Sequence, residues 1–234
     1  MTPTKVGAAL AAAALWATGC GSLFPVETGP VVTEHHAVER GAATQAHVVI
    51  DMSAGDLDVN PGAPSLFAGD FVFNTPALKP SIAYSVKDGT GDLKVSQRSV
   101  SGSIENKWHL TVDEKTPVDL EVTLGAGDAE LVLGRLTLRS LSVRLGAGDL
   151  KIDLRGTPSK SYGVKVQAGA GDTTIQLPAS VAISASTSGL IGDSQVNGLE
   201  KRDGRWVNAG ATSSPVTVDV DVQHAIGDLR LSAE

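Results

Sequence analysis

The sequence predicts an all-β protein, a β-solenoid built from short strands with a coil of about 21–23 residues. Three observations predict it. Apolar and polar residues alternate with period two in several runs, the pattern of half-buried strands. The dipeptide Gly-Asp recurs eight times, each time followed by a similar strand-like pattern. The composition of the 234-residue chain, 41% hydrophobic but only 4% aromatic and with 26 glycines, favours strands and tight turns over helices.

At the N-terminus, Lys5 precedes an apolar run, Val6–Trp16. Such a run is too short to cross a bilayer, which takes about 20 residues, and it reads as the core of a secretory signal peptide over residues 1–19. The run leads to "ATGC", which resembles the lipobox of bacterial lipoproteins, with Ala17 standing where leucine is commoner. The resemblance implies cleavage before Cys20 and lipidation of its thiol. Cys20 is the chain's single cysteine, so no internal disulfide can form, and lipidation removes an exposed reactive thiol. Several acyl chains on one residue would anchor the protein stably where one would not. Residues 20–43, with their glycines, prolines, threonines and the adjacent His35 and His36, show no sustained period and read as a flexible tether. The expected location is the bacterial cell envelope, at the outer membrane or the outer face of the cell membrane, with the membrane as a partner through Cys20.

From residue 44 onward nearly everything reads as strand and turn, divided into an N-terminal β region (44–116) and C-terminal solenoid repeats (117–234). Val118, Leu120, Val122 and Leu124 fall on one strand face, as do Leu141, Val143 and Leu145, and Val216, Val218, Val220 and Val222. The repeated dipeptides are Gly55-Asp56, Gly69-Asp70, Gly91-Asp92, Gly127-Asp128, Gly148-Asp149, Gly171-Asp172, Gly192-Asp193 and Gly227-Asp228, all expected to be structural turns. Successive aspartates lie 14, 22, 36, 21, 23, 21 and 35 residues apart. The recurring interval is a repeat period of solenoid size. A coil of this length traces a perimeter of roughly 70 Å, room for two or three short strands with corners. The two long intervals imply insertions, one within Ser96–Thr116 and one within Asn197–Ser214. An antiparallel β-sandwich with each Gly-Asp at a hairpin is the alternative; the tandem period favours the solenoid.

A phosphate-cradling reading of the turns requires a helix after each glycine loop, and here every loop leads into another strand. A calcium reading has more substance. Stacked corners would bring Asp128, Asp149, Asp172 and Asp193 into a column about 4.8 Å apart, with mutual repulsion on the order of 1 kcal/mol per pair in water. Calcium would relieve it, but the known nine-residue calcium repeat is less than half this period. The favoured expectation is that each carboxylate caps its own corner as an Asx turn, with no metal and no cofactor. His47, His109 and His224 lack ligand spacing and are expected at solvated strand surfaces. The outward-facing Glu130, Arg139, Arg144, Lys151 and Asp153 alternate in sign without a dense acidic group, as a solvated face does. Trp108 and Trp206 are placed in insertions or at an open solenoid end. A net charge of −7 with scattered cations argues against nucleic-acid binding.

The block Asp113–Leu177, with "PVDLEVTLGAGDAELVL", "LSVRLGAGDLKIDL" and "GAGDTTIQLP", resembles the bacterial toast-rack family, similar to the C-terminal domain of LiaF-type cell-envelope stress proteins. The earlier "DLDVNPGAPSLFAGDFVFNTPALKPSIAYSV" and "NKWHLTVDEKTPVDLEV" resemble that family's N-terminal portion, so the likeness runs over about His47–Ser232. It implies a β-helix-like stack and brings no catalytic residues. LiaF-type proteins carry membrane-spanning helices before this domain, a place the lipid anchor is expected to take here. The function expected is non-enzymatic: a rigid solenoid presented to an envelope protein or surface partner, in envelope stress response or adhesion, with self-association through strand edges. A calcium-dependent binding module and a glycan-processing β-helix enzyme are the alternatives.

Overall fold

A computed structural model describes residues 28–99, 105–189, 191–208 and 214–234. The signal-peptide and Cys20 readings fall outside these residues. Among the described residues the only helical element is a short 3₁₀ turn at Pro76–Leu78, and no helix is long and apolar enough to cross a membrane.

Strands β1 (Val32–Val38), β2 (Gln45–Ala54), β3 (Asp56–Pro61), β4 (Phe67–Phe73), β5 (Ser81–Lys87), β6 (Thr90–Ser96) and β7 (Asn106–Val112) form the first half. The second half holds β8 (Val118–Ala126), β9 (Ala129–Val132), β10 (Leu138–Ala147), β11 (Leu150–Asp153), β12 (Tyr162–Ala170) and β13 (Thr173–Leu177), then β14 (Ala182–Ser188), β15 (Ser194–Asn197), β16 (Glu200–Arg202), β17 (Arg205–Val207), β18 (Thr217–Ile226) and β19 (Leu229–Ala233). They build two sheets. One runs β1-β4-β7-β3-β9-β11-β13-β19-β15, the other β16-β17-β14-β18-β12-β10-β8-β2-β6-β5. Each coil lays one strand in the second sheet, turns a corner and lays the next in the first. Coil-to-coil pairing is parallel through the middle of the stack, which makes this a solenoid and not an antiparallel sandwich.

The alternating residues explain the layering. In β8, Val118, Leu120, Val122 and Leu124 are buried, and they continue in register into Leu141, Val143 and Leu145 of β10. Their counterparts across the core are Leu131 of β9 and Ile152 of β11. One contiguous apolar core therefore lies between the sheets, and it draws on residues from both halves of the chain. The regions 44–116 and 117–234 share both sheets.

Three expectations need correction. The coils do not stack in chain order: β2/β3 sits between β6/β7 and β8/β9, and β18/β19 sits between β12/β13 and β14/β15. Consequently the supposed insertion in Ser96–Thr116 contains a sheet strand, β7, whose Trp108 and Leu110 are fully buried. The second supposed insertion does hold an edge hairpin, β16–β17, paired with β14. Finally, part of the presumed tether is folded, because β1 pairs antiparallel with β4. Its inward row is Glu34, His36 and Val38, with His36 edge-on to Phe71 at 5.6 Å.

Candidate functional site

Six of the eight Gly-Asp pairs sit at the same corner of successive coils. Gly55, Gly127, Gly148, Gly171, Gly192 and Gly227 all have positive φ, +123° at Gly148, which favours glycine. The other two pairs are not turns, a correction to the sequence reading: Gly69-Asp70 lies inside β4 and Gly91-Asp92 inside β6. The reason is packing. A Cβ at Gly69 would collide with Leu110 and the Phe71 ring, and one at Gly91 with the Tyr84 ring.

At the true corners the backbone bonds run from coil to coil. Gly148 N–H donates to Ala170 O at 2.8 Å and Leu150 N–H to Asp172 O at 2.8 Å. The intervening aspartate N–H points the other way and finds a side chain. Asp149 N–H donates to Asp128 Oδ1 at 2.9 Å, Asp172 N–H to Asp149 Oδ1 at 2.9 Å, Asp228 N–H to Asp172 Oδ1 at 3.0 Å and Asp193 N–H to Asp228 Oδ1 at 3.2 Å. The carboxylates thus cap the neighbouring coil, where the sequence reading had each cap its own corner. The column also places Asp228 between Asp172 and Asp193, in the order of the stack.

Cations temper this column. At its N-terminal end Lys107 stands beside Asp56 in register, with Nζ 4.0 Å from the carboxylate. Arg230 reaches Asp172 at 3.6 Å and Asp228 at 3.5 Å. Beside the column the first sheet's outer face holds a hollow of about 350 Å³ bounded by Asp56, Asp58, Asp128, Glu130, Asp149 and Lys151, among others. Among the described residues no three His, Cys, Asp or Glu side chains converge as a metal site would require.

A transverse row crosses the same face. His35, Asp70, His109, Asp58, Glu130, Lys151, Thr174, Arg230 and Gln195 lie in register on successive strands. Within it His35 Nδ1 meets Asp70 at 2.5 Å, His109 Nδ1 meets Asp58 at 2.7 Å and Lys151 Nζ meets Glu130 at 2.6 Å. Sequence reasoning missed the histidine–aspartate pairs because their members are 35 and 51 residues apart. Of the remaining outward candidates, Arg139 lies 3.5 Å from Asp119, and Arg144 donates to Gln167. The Arg155 guanidinium beside Asp153 holds that carboxyl below its ordinary range.

His47 lies between Asp92 and Glu121, but His224 departs from expectation. It is 1% exposed, takes the core position that Leu124 and Leu145 hold in other coils, and contacts Gly171 O at 2.8 Å through Nε2. Trp108 is likewise core, edge-on to Phe71 at 5.1 Å, while Trp206 is half-buried on the edge hairpin. Each described histidine is committed to a carboxylate or a carbonyl, and none hydrogen-bonds a hydroxyl nucleophile. This arrangement can present a patterned, charge-paired surface to another molecule.

The sequence profile described as the N-terminal domain of toast_rack, DUF2154, matches residues 27–176. No curated protein matches the chain. Among solved structures, the chain is similar to a candidate cell adhesion protein from Clostridium sporogenes, with a TM-score of 0.83 and 25% identity, covering 88% of this chain and 100% of that one. A candidate adhesin from Bacteroides fragilis gives a TM-score of 0.35 at 13% identity, covering 86% and 97%. Another from Parabacteroides merdae gives 0.31 at 14% identity, covering 86% and 80%.

Proposed function

The chain belongs to the toast-rack family, and on that premise we propose that it is a non-enzymatic adhesion protein of the bacterial cell envelope, held to the membrane by a lipidated Cys20. The observation that carries this reading is the likeness to the clostridial candidate cell adhesion protein along that protein's whole length. A stack with one continuous core is rigid, so its faces keep a fixed pattern of charge for a partner to match.

Among the described residues the stack also has open edges where a partner strand or a second copy would add: β1 and β5 at one end, β15 and β16 at the other. At the β15 end the corner column changes character. Ala54, Ala126, Ala147 and Ala170 are succeeded in register by Ile226 and Ile191, which are 56% and 69% exposed. Exposed isoleucines beside a free strand edge favour association there.

The test is a strain lacking the protein, complemented with the wild type or with Cys20→Ala. The wild type should restore attachment to surfaces and incorporate labelled palmitate, and Cys20→Ala should do neither. Attachment indifferent to the protein would sink the adhesive reading. Processing unchanged by globomycin, which blocks lipoprotein signal cleavage, would sink the anchor.

A further inference from the structure

The outer face of the second sheet carries two adjoining hollows, separate from the aspartate column. The first is a trench of about 510 Å³ that crosses β8, β10, β12 and β18 along the stacking axis. Its floor is main chain at Gly125, Gly146 and Gly169, continued by the exposed Ala225, while Leu124 and Leu145 beside these glycines turn their side chains into the core. A steric rule keeps side chains out of that floor: a Cβ at Gly146 would overlap the Gly125 carbonyl oxygen, and one at Gly169 that of Gly146. Close stacking therefore produces an apolar furrow as a by-product.

The second hollow, of about 400 Å³, is polar and is lined by Ser142, Arg144, Lys165, Ser186 and Ser188, among others. The hollows share Arg144, Gln167 and Gln223. These three form a cross-strand row in which Arg144 Nε donates to Gln167 Oε1 at 3.1 Å and Gln167 Nε2 to Gln223 Oε1 at 3.1 Å.

Two cations stand together where the hollows meet. Many cations on the sheets sit on carboxylates, as Lys151 does on Glu130 and Arg205 on Asp219, while Lys87 and Lys94 at the β5–β6 edge make no ion pair among the described residues. Arg144 and Lys165 make no ion pair among the described residues. One carboxylate, Asp221, lines the second hollow and another, Glu121, stands near it, and both are engaged. Asp221, opposite Lys165 in register, accepts from Ser186 Oγ and lies 3.5 Å from Arg205. Glu121, opposite Ser142, meets His47 at 3.3 Å. In a chain of net charge −7, two uncompensated cations beside an apolar furrow ask for a ligand that is negative at one end and apolar along its length.

We propose that the two hollows form one site for a monoacyl anionic lipid. The acyl chain lies in the glycine-floored trench, where burial of apolar area drives binding. The head group sits on the Arg144 guanidinium and the Lys165 ammonium, with the Ser142 and Ser188 hydroxyls as further donors. An arginine anchored through Nε keeps its terminal N–H groups for an oxyanion, the geometry of charge-assisted pairs. The site stands apart from the adhesive reading, since it uses neither the first sheet's face nor the open edges.

Calorimetric titration of the purified full chain with monomeric dodecyl phosphate tests the site. Dodecyl maltoside below its micelle concentration supplies the chain with a neutral head, and inorganic phosphate supplies the head alone. Dodecyl phosphate should saturate one site at least tenfold more tightly than either comparison. Arg144→Gln with Lys165→Gln should weaken dodecyl phosphate at least tenfold and leave dodecyl maltoside unchanged. Ala225→Trp, at an exposed trench-lining position, should weaken both; should that variant melt early, Gln223→Trp serves instead. Lack of saturable binding, equal affinity for either comparison compound, or indifference to the loss of both cations would overturn the proposal.

Discussion

One glycine and one aspartate per coil do different work at the corner, and substitutions separate the two. Gly148 combines positive φ with a neighbour, the Gly127 carbonyl, lying where a Cβ would go. Gly148→Ala should therefore cost about 3 kcal/mol or more, the scale of strain added to overpacking. Gly163 in β12 has nothing within 4 Å of its would-be Cβ and carries no such φ, so Gly163→Ala should be neutral or stabilising. Urea denaturation of both variants checks the contrast. For the aspartates, Asp149→Ala removes the acceptor of the Asp172 N–H and should cost about 1 kcal/mol. Asp149→Asn keeps an oxygen acceptor and removes one like charge from the column, so it should match the wild type. A calcium-held column would behave otherwise: asparagine would then destabilise, and excess EDTA would lower Tm. With Asp Oδ1 atoms committed to N–H groups and Lys107 and Arg230 nearby, the expected EDTA shift is nil. The repeated dipeptide was legible in the sequence as a corner. What marks Gly69 and Gly91 as exceptions was not, because Leu110 and Tyr84, the side chains that demand them, come from other strands.

Among elements, legibility followed the apolar period. The β8 and β10 rows announce themselves because every inward position is aliphatic. Strand β1 does not, since its inward row mixes Glu34 and His36 with Val38 at the edge of the sheet, so composition alone suggests a tether. The turn between β7 and β8 shows how a polar residue sets an element boundary. Asp113 accepts the Thr116 hydroxyl at 2.6 Å, the Thr116 N–H at 3.1 Å and the Lys115 N–H at 3.2 Å. Partial burial, the largest single influence, raises its affinity for a proton, but these three donors together outweigh it and leave the carboxyl below its ordinary value. The native state therefore holds this proton more weakly than the unfolded chain does. Its stabilisation is complete above the unfolded value of about 3.9 and is lost as pH falls through the native one. Asp113→Asn should lower Tm at neutral pH, and the difference from wild type should shrink as pH drops below about 4. Thermal melts followed across that range by circular dichroism test the sign.

For the whole molecule the sequence conveyed the coil but not the threading. A 21–23-residue period describes β8 through β13 well, since those coils stack in chain order. At both ends the order is exchanged, with β2/β3 enclosed by later coils and β18/β19 enclosed by earlier ones. No local signal encodes which sheet edge a coil finds, because every coil offers a similar aliphatic row. The threading has an energetic consequence. In a solenoid stacked strictly in chain order each coil touches only its sequence neighbours, and the ends can fray independently. Here the first coil must be in place before β6/β7 and β8/β9 can share a sheet through it, and the last one before β14/β15 can join. Loss of either exchanged coil, β2/β3 or β18/β19, therefore removes an interior layer and opens the core on both of its sides. We expect one cooperative unfolding transition for the whole stack. Trp108 and Trp206 report on opposite ends, so with Trp16→Phe throughout, Trp108→Phe and Trp206→Phe variants each follow one end by fluorescence. Each variant's fluorescence midpoint in urea should coincide with its own midpoint by far-ultraviolet circular dichroism. A fluorescence transition at the Trp206 end that precedes the loss of strand signal would show that the exchanged coil does not lock the end, and that the stack melts by layers.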